Sequence, residues 1–238
     1  MNGPVNIVIL TGSGISAESG IATFRDTGGI WEKYDYAQVA TPEGFAENPA
    51  LVHEFYNERR RGLAAVEPNA AHFALAKLEA GLKRCGGRLT IITQNVDDLH
   101  ERAGSIRLLH MHGELSKVTC CGCDEVLKWR EDISLETSCP TCKSAGTLRP
   151  YVVWFGEIPR FMDEASDVIM GADLFVSIGT SGSVYPAAGF VAEARTLGID
   201  AMELNLEPSE NAILFNDSRY GPATKVVPEW VSEVLRKI

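Results

Sequence analysis

Residues 5–24 read VNIVILTGSGISAESGIATF, and this stretch decides the fold. Val5 to Leu10 is almost wholly β-branched or aliphatic, as expected of a strand buried on both faces of a parallel sheet. Gly12, Gly14 and Ala17 follow in a G-x-G-x-x-A pattern, and a helical segment comes next. Gly12 permits a tight turn, Gly14 lets backbone approach a pyrophosphate, and a helix start offers unpaired N–H groups. The same glycines also suit a plain structural turn; the strand–turn–helix context favours a dinucleotide fingerprint.

Working outward, short apolar runs recur at Leu89–Ile92, Leu174–Ile178 and Ala201–Leu204. Stretches with helical spacing lie among them: Ala70–Leu82, Phe161–Met170 and Ala187–Leu197, with a last helix expected from Pro228 to Ile238. This alternation predicts an α/β fold, a Rossmann-type parallel sheet made from residues 1–29, 70–116 and 149–238. Two inserts form a smaller part: a cofactor loop and helical module at 30–69, helical from Pro49 onward, and a cysteine-bearing module at 117–148. After the glycine turn the chain runs into Thr23-Phe24-Arg25-Asp26 and a Gly28-Gly29 pair. Glu32 has the separation of a ribose-binding acid but no strand before it, which argues against simple hydride transfer.

The chain has 238 residues, 45% of them hydrophobic, enough for a buried core and against disorder. Its formal charge of −10 disfavours a phosphate-backbone binder. No apolar run approaches a membrane span, and the first residues lack a signal-peptide pattern, so a soluble, cytoplasmic protein with no membrane partner is expected.

Five of the six cysteines fall between Cys120 and Cys142. Cys120-x-x-Cys123 and Cys139-x-x-Cys142, with 15 residues between the pairs, have the spacing of a four-thiolate structural zinc site. All four positions are filled, leaving none for a catalytic water. Cys121 is the spectator, with a register using it in place of Cys120 as the alternative; Cys85 reads as a packing residue.

Taken together, TGSGISAESGIATFRD, ITQNVDDLHERAG, LHMHGEL, the paired cysteines, RPYVVWFGE, GTSGSVYPAA and LNLEPS resemble the sirtuins, the NAD-dependent protein lysine deacylases, in order and over most of the chain. The resemblance implies NAD as co-substrate, one structural Zn2+, and a cleft between a Rossmann-type domain and a small domain. It implies that Gly12, Ser13, Gly14, Ala17, Phe24, Arg25 and Trp31 lie near the dinucleotide, and that Gln94, Asn95 and Asp97 surround the nicotinamide and its ribose. Gly179, Thr180 and Ser181 match a phosphate-proximal turn; Asn205, Leu206 and Glu207 match the adenosine-side loop, with Ala223 beside the adenine. Val153, Phe155, Gly156 and Glu157 match the segment that pairs with an extended acyl-lysine peptide.

His112 corresponds to the catalytic histidine. The implied chemistry is attack of the acyl oxygen on the ribose carbon bearing nicotinamide, then proton removal from the ribose hydroxyls by His112. In extended backbone His110 shares a face with His112, about 6.6 Å away, so periodicity alone leaves both open; the resemblance selects His112. His53, His72 and His100 read as structural or surface residues.

Tyr56 and Arg59 stand at i and i+3 on one helix face, and the family's acid-selective members carry such a pair at the acyl end of the pocket. Ala40 matches a small residue that widens it. A guanidinium fork suits a terminal carboxylate and a phenol can add a hydrogen bond, so removal of both acetyl and succinyl groups is implied. Arg60 and Arg61 are expected in solvent, and a monomer is expected. The other readings are ADP-ribosyl transfer, a nicotinamide-dependent oxidoreductase and a zinc-ribbon binding module. The last needs a basic surface, which Glu125, Glu131, Asp132 and Glu136 offset.

Overall fold

The computed structural model describes residues 5–23 and 30–238. Its strands are β1 (Asn6–Thr11), β2 (Arg88–Thr93), β3 (Leu108–His110), β4 (Gly113–Cys120), β5 (Val126–Lys128), β6 (Leu148–Val152), β7 (Leu174–Ile178), β8 (Asp200–Asn205) and β9 (Asp217–Tyr220). The helices are α1 (Gly14–Ala17), α2 (Ile30–Lys33), α3 (Tyr36–Val39), α4 (Pro42–Glu47), α5 (Pro49–Leu63), α6 (Ala70–Arg84), α7 (Leu99–Ala103), α8 (Met162–Met170), α9 (Phe190–Thr196) and α10 (Ala223–Lys237). The expected α/β architecture is present, and each expected strand lies within a residue or two of its reading. Among the described residues no helix is long and apolar enough to cross a membrane.

Six strands form one parallel sheet in the order β3-β2-β1-β7-β8-β9. Successive residues of β1 explain the apolar run. Ile7 and Ile9 pack under α6 and α10 with Leu75, Leu78, Val227 and Trp230. Val8 and Leu10 face the other way, onto Ile169, Phe190 and Val191 of α8 and α9. Strand order reverses between β1 and β7, where open sheets of this type form a crevice at their carboxyl ends.

The helical insert packs Val39, Val52, Phe55 and Tyr56 against Leu115, Val152 and Trp154. Around the cysteines, β5-β4-β6 form an antiparallel sheet, with Val118, Ile133 and Leu148 buried beside Cys120 and Cys139. The sequence of this insert promises little core; its thiols and Leu148 supply one.

Four readings change. Cys85, read as a packing residue, is exposed at the end of α6. The last helix begins at Ala223, so Pro228 sits inside it rather than in its first turn. Burial of Val226 and Val227, and capping by Glu18, which accepts from the Thr224 backbone N–H (2.9 Å) and hydroxyl (2.7 Å), outweigh the N–H that proline lacks. The expected helix over Ala187–Leu197 divides into a 3-10 turn at Ala187–Gly189 and then α9. Arg60 is not in solvent but 4% exposed, donating to the carbonyls of Leu115 (3.1 Å) and Glu131 (3.2 Å) and to Asn57 Oδ1 (2.9 Å).

Candidate functional site

The glycine turn after β1 meets a second turn after β7. Gly12 N–H donates to Ile178 O (3.0 Å) and Gly14 N–H to Gly179 O (2.9 Å). A Cβ on Gly12 would stand 2.7 Å from Gly179 O, and one on Gly14 2.8 Å from Gly179 Cα. These glycines are therefore required first by each other; their packing leaves a bare backbone cradle on the cavity side.

That cradle floors a cavity of about 650 Å³ between the sheet's carboxyl ends, the helical insert and the segment after β6. Gly12, Ser13, Gly14, Ala17, Gln94, Asn95, Gly179, Thr180, Ser181, Asn205, Leu206, Glu207 and Ala223 line it. So do His112, Ala40, Tyr56, Arg59, Val153, Phe155, Gly156 and Glu157. Phe24 and Arg25 lie outside the described residues, as does the Trp31 side chain. Asp97 is not on the wall: buried behind it, its carboxylate accepts from Ser16 Oγ (3.0 Å) and Leu99 N–H (3.1 Å). Asn95 Nδ2 donates to the same Ser16 Oγ (3.2 Å), so Asp97 reaches the cavity only through its neighbours. Burial pushes the Asp97 carboxyl up, against those two hydrogen bonds.

The two histidines of LHMH separate. His112 lines the cavity, and its Nδ1 lies 3.1 Å from Gln94 O. A carbonyl can only accept, so Nδ1 carries the hydrogen and Nε2 keeps its lone pair. Burial brings this imidazole down to about 4, with the Gln94 contact opposing, so the ring is neutral near pH 7. His110 points elsewhere, its Nε2 held at 2.6 Å by Glu101 and its Nδ1 3.4 Å from Asn95 O.

At the acyl end, the Arg59 guanidinium carbon stands 3.2 Å from the Phe55 ring centroid, and Nη1 donates to Phe55 O (2.7 Å). Its Nε is buried and has no partner among the described residues, while the side chain as a whole lines the cavity. Val153 N–H donates to His112 O (2.8 Å) and Phe155 N–H to Ala40 O (2.9 Å), tying the irregular segment after β6 to two other residues of the cavity wall. The Glu157 carboxylate is occupied, accepting from Arg149 Nη1 (2.7 Å), Arg149 Nη2 (3.0 Å) and Trp154 N–H (2.8 Å). Ser16, Arg149 and Trp154 belong to the quoted motifs, yet their parts depend on contacts that spacing does not reveal.

The four sulfurs of Cys120, Cys123, Cys139 and Cys142 lie within 4.8 Å of one another, Cys120–Cys142 at 3.6 Å and Cys123–Cys139 at 3.9 Å. A tetrahedron with metal–sulfur bonds of about 2.3 Å has edges of about 3.8 Å, so the set fits zinc.

Behind the cavity, His72 and His100 stack edge to face at 5.0 Å, His72 reaching Ser16 Oγ and His100 Thr11 Oγ1. Burial lowers His72 to about 4 and His100 well below the usual imidazole range. Unfolded histidines titrate near 6.5, so below that pH the unfolded chain binds more protons and stability falls as pH drops toward about 4. His110 acts in the opposite sense: burial lowers it, but Glu101 and Glu114 leave it raised overall. The expected net result is a loss of about 2 kcal/mol or more between about pH 7 and about pH 5, read as a falling urea midpoint. A flat profile would contradict it.

A Sir2 family profile matches residues 12–186. The chain is similar to the NAD-dependent protein deacylase of Caulobacter vibrioides, 59% identical over 100% of both chains. It is 55% identical to that of Leishmania major, over 97% of this chain and 96% of the relative. Among solved structures, a mutant Sir2 homologue in complex with ADP-ribose superposes with a TM-score of 0.89 at 38% identity, covering 98% of this chain and 92% of that one. A Sir2 protein bound to an acetylated peptide gives 0.78 at 30% identity, covering 97% and 92%. With a profile spanning both glycine turns, the histidine pair and the cysteine module, and near-complete relatives at such identity, the chain belongs to the Sir2 family.

Proposed function

We propose that this chain removes acetyl and succinyl groups from protein lysine side chains in an NAD-dependent reaction, releasing nicotinamide, free lysine and O-acyl-ADP-ribose. The observation that carries the reading is one cavity whose wall holds both a neutral imidazole, His112, and the guanidinium-bearing side chain of Arg59. The names of the relatives, NAD-dependent protein deacylases, support the same activity.

The bare cradle at Gly12, Ser13 and Gly14, with Ala17, Thr180 and Ser181 around it, suits a pyrophosphate. Asn205, Leu206, Glu207 and Ala223 suit the adenosine side; Gln94 and Asn95 suit the nicotinamide ribose, with Asp97 supporting them through Ser16. Phe24, Arg25 and Trp31 are assigned to the cofactor loop on the family pattern. Bound NAD supplies an electrophilic ribose carbon once nicotinamide leaves. His112 then accepts a proton at Nε2 while Gln94 O holds its Nδ1–H, so the ring keeps one orientation as it becomes charged. Val153, Phe155 and Gly156 offer main chain to an extended peptide, and Glu157 fixes their turn. The zinc bound by Cys120, Cys123, Cys139 and Cys142 is structural. The working division is a Rossmann-type domain (1–29, 70–116, 149–238), a helical module (30–69) and a zinc module (117–148).

Ala40 leaves room at the acyl end, and Tyr56 and Arg59 can both donate to a terminal carboxylate. A charge-assisted contact contributes roughly 1.5–3 kcal/mol, which is roughly ten- to over a hundredfold in selectivity. Arg59→Met is therefore expected to lower kcat/KM for a succinyl-lysine peptide at least about tenfold more than for the matched acetyl peptide. Equal losses would remove succinyl recognition from the proposal.

A further inference from the structure

Tyr56 lines the cavity beside Arg59, is only 7% exposed, and its phenol oxygen accepts a hydrogen bond from Trp154 Nε1 at 3.0 Å. Indole N–H can only donate, so this contact fixes which role the phenol oxygen plays there. The phenol's own hydrogen has no acceptor among the described residues. With one lone pair engaged, the O–H, which prefers the plane of its ring, is directed away from Trp154 Nε1. Burial pushes this phenol's ionisation upward, first among its causes, so the hydrogen stays on the oxygen and available for donation.

Trp154 itself is held from three directions. The Arg149 guanidinium carbon lies 3.5 Å from its ring centroid. Its backbone N–H donates to Glu157, which the same Arg149 grips with both terminal nitrogens. The ring also packs against Phe45, with centroids 5.2 Å apart, and is 3% exposed. A side chain clamped in this way can set the geometry of a partner across 98 residues of sequence.

We propose that Trp154 is a positioning residue for acyl selectivity: by donating to the Tyr56 hydroxyl it turns that group into a preset donor for an acyl chain ending in a carboxylate. The inference rests on the acid-acyl reading above and goes beyond it, because the part assigned to Trp154, whose own side chain also lines the cavity, is exerted through the Tyr56 hydroxyl. An uncharged acetyl group offers no acceptor so deep in the pocket, and its turnover depends less on the preset. The reaction chemistry at the ribose is untouched.

The test is a double-mutant cycle on the full-length enzyme, using matched acetyl- and succinyl-lysine peptides with NAD. Trp154→Phe keeps an aromatic ring and removes the N–H. The expected result is a fall of about fivefold in the succinyl-to-acetyl ratio of kcat/KM, carried by a higher KM for the succinyl peptide. In a Tyr56→Phe background, which has no hydroxyl to orient, Trp154→Phe is expected to leave that ratio unchanged. Replacement of the indole by benzothiophene, which retains the bicyclic shape and lacks only the N–H, repeats the measurement should Trp154→Phe fold poorly. An unchanged ratio in the wild-type background, or the same fall in both backgrounds, overturns the proposal while leaving succinyl recognition by Arg59 intact. A wild-type enzyme with no activity on the succinyl peptide overturns both.

Discussion

His112→Gln is expected to lower the kcat of deacylation by about a hundred- to ten-thousandfold, with NAD still bound in a calorimetric titration. Glutamine can keep a donor near Gln94 O and much of the volume, but it offers no ring nitrogen with a basic lone pair. In the proposed reaction the imidazole of His112 accepts its proton after the cosubstrate is cleaved, so the effect should fall on kcat. His110→Gln separates the two histidines: both of its ring nitrogens already have partners, Glu101 and Asn95 O, and it does not line the cavity. A His112→Gln enzyme within a few-fold of wild type would end the assignment of the base.

Loss of the cysteine site is expected to be as damaging, by a different route. Cys139 is fully buried, and structural zinc in small modules contributes on the order of 10 kcal/mol of binding free energy that is also folding free energy. Cys139→Ala, or removal of zinc by a chelator, should therefore loosen the sheet of β4, β5 and β6. The damage should spread to α5, whose buried polar side chains His53, Asn57 and Arg60 reach this module or its strands. His53 Nε2 lies 2.9 Å from Leu148 O, Asn57 exchanges hydrogen bonds with the Ile133 backbone (2.9 and 3.0 Å), and Arg60 reaches Leu115 O and Glu131 O. Burial holds the Arg60 guanidinium down at about 10, and without those carbonyls it becomes a stranded charge. A melting temperature lower by about 10 °C or more, with both acetyl and succinyl activities lost, is the expected readout. A chelated enzyme with unchanged melting and turnover would show that the thiols hold nothing of consequence.

The architecture was legible because the buried strands are short apolar runs and the glycines sit where a turn must be tight. The C-x-x-C spacing likewise announces its chemistry locally. What escaped reading involves partners distant in sequence. Nothing near Arg60 reveals that carbonyls from Leu115 and Glu131 await it, so three successive arginines look alike. Pro228 marks a helix start by local rules, yet burial of Val226 and Val227 carries the helix back to Ala223. Glu157 lies in a substrate-facing motif, but Arg149 engages its carboxylate. The choice between His110 and His112 was decided by the resemblance; the structure supplies its physical counterpart in Glu101 and Gln94.

One helix, α5, carries His53, Asn57 and Arg60 on one side and Tyr56 and Arg59 on another. At about 100° per residue, the two sets are centred roughly a quarter-turn apart. Anchorage and chemical taste are thus written on separate flanks of a single rod. On the acyl reading proposed above, drift at Arg59 can exchange one preference for another with the mooring intact, whereas drift at the first flank carries both away.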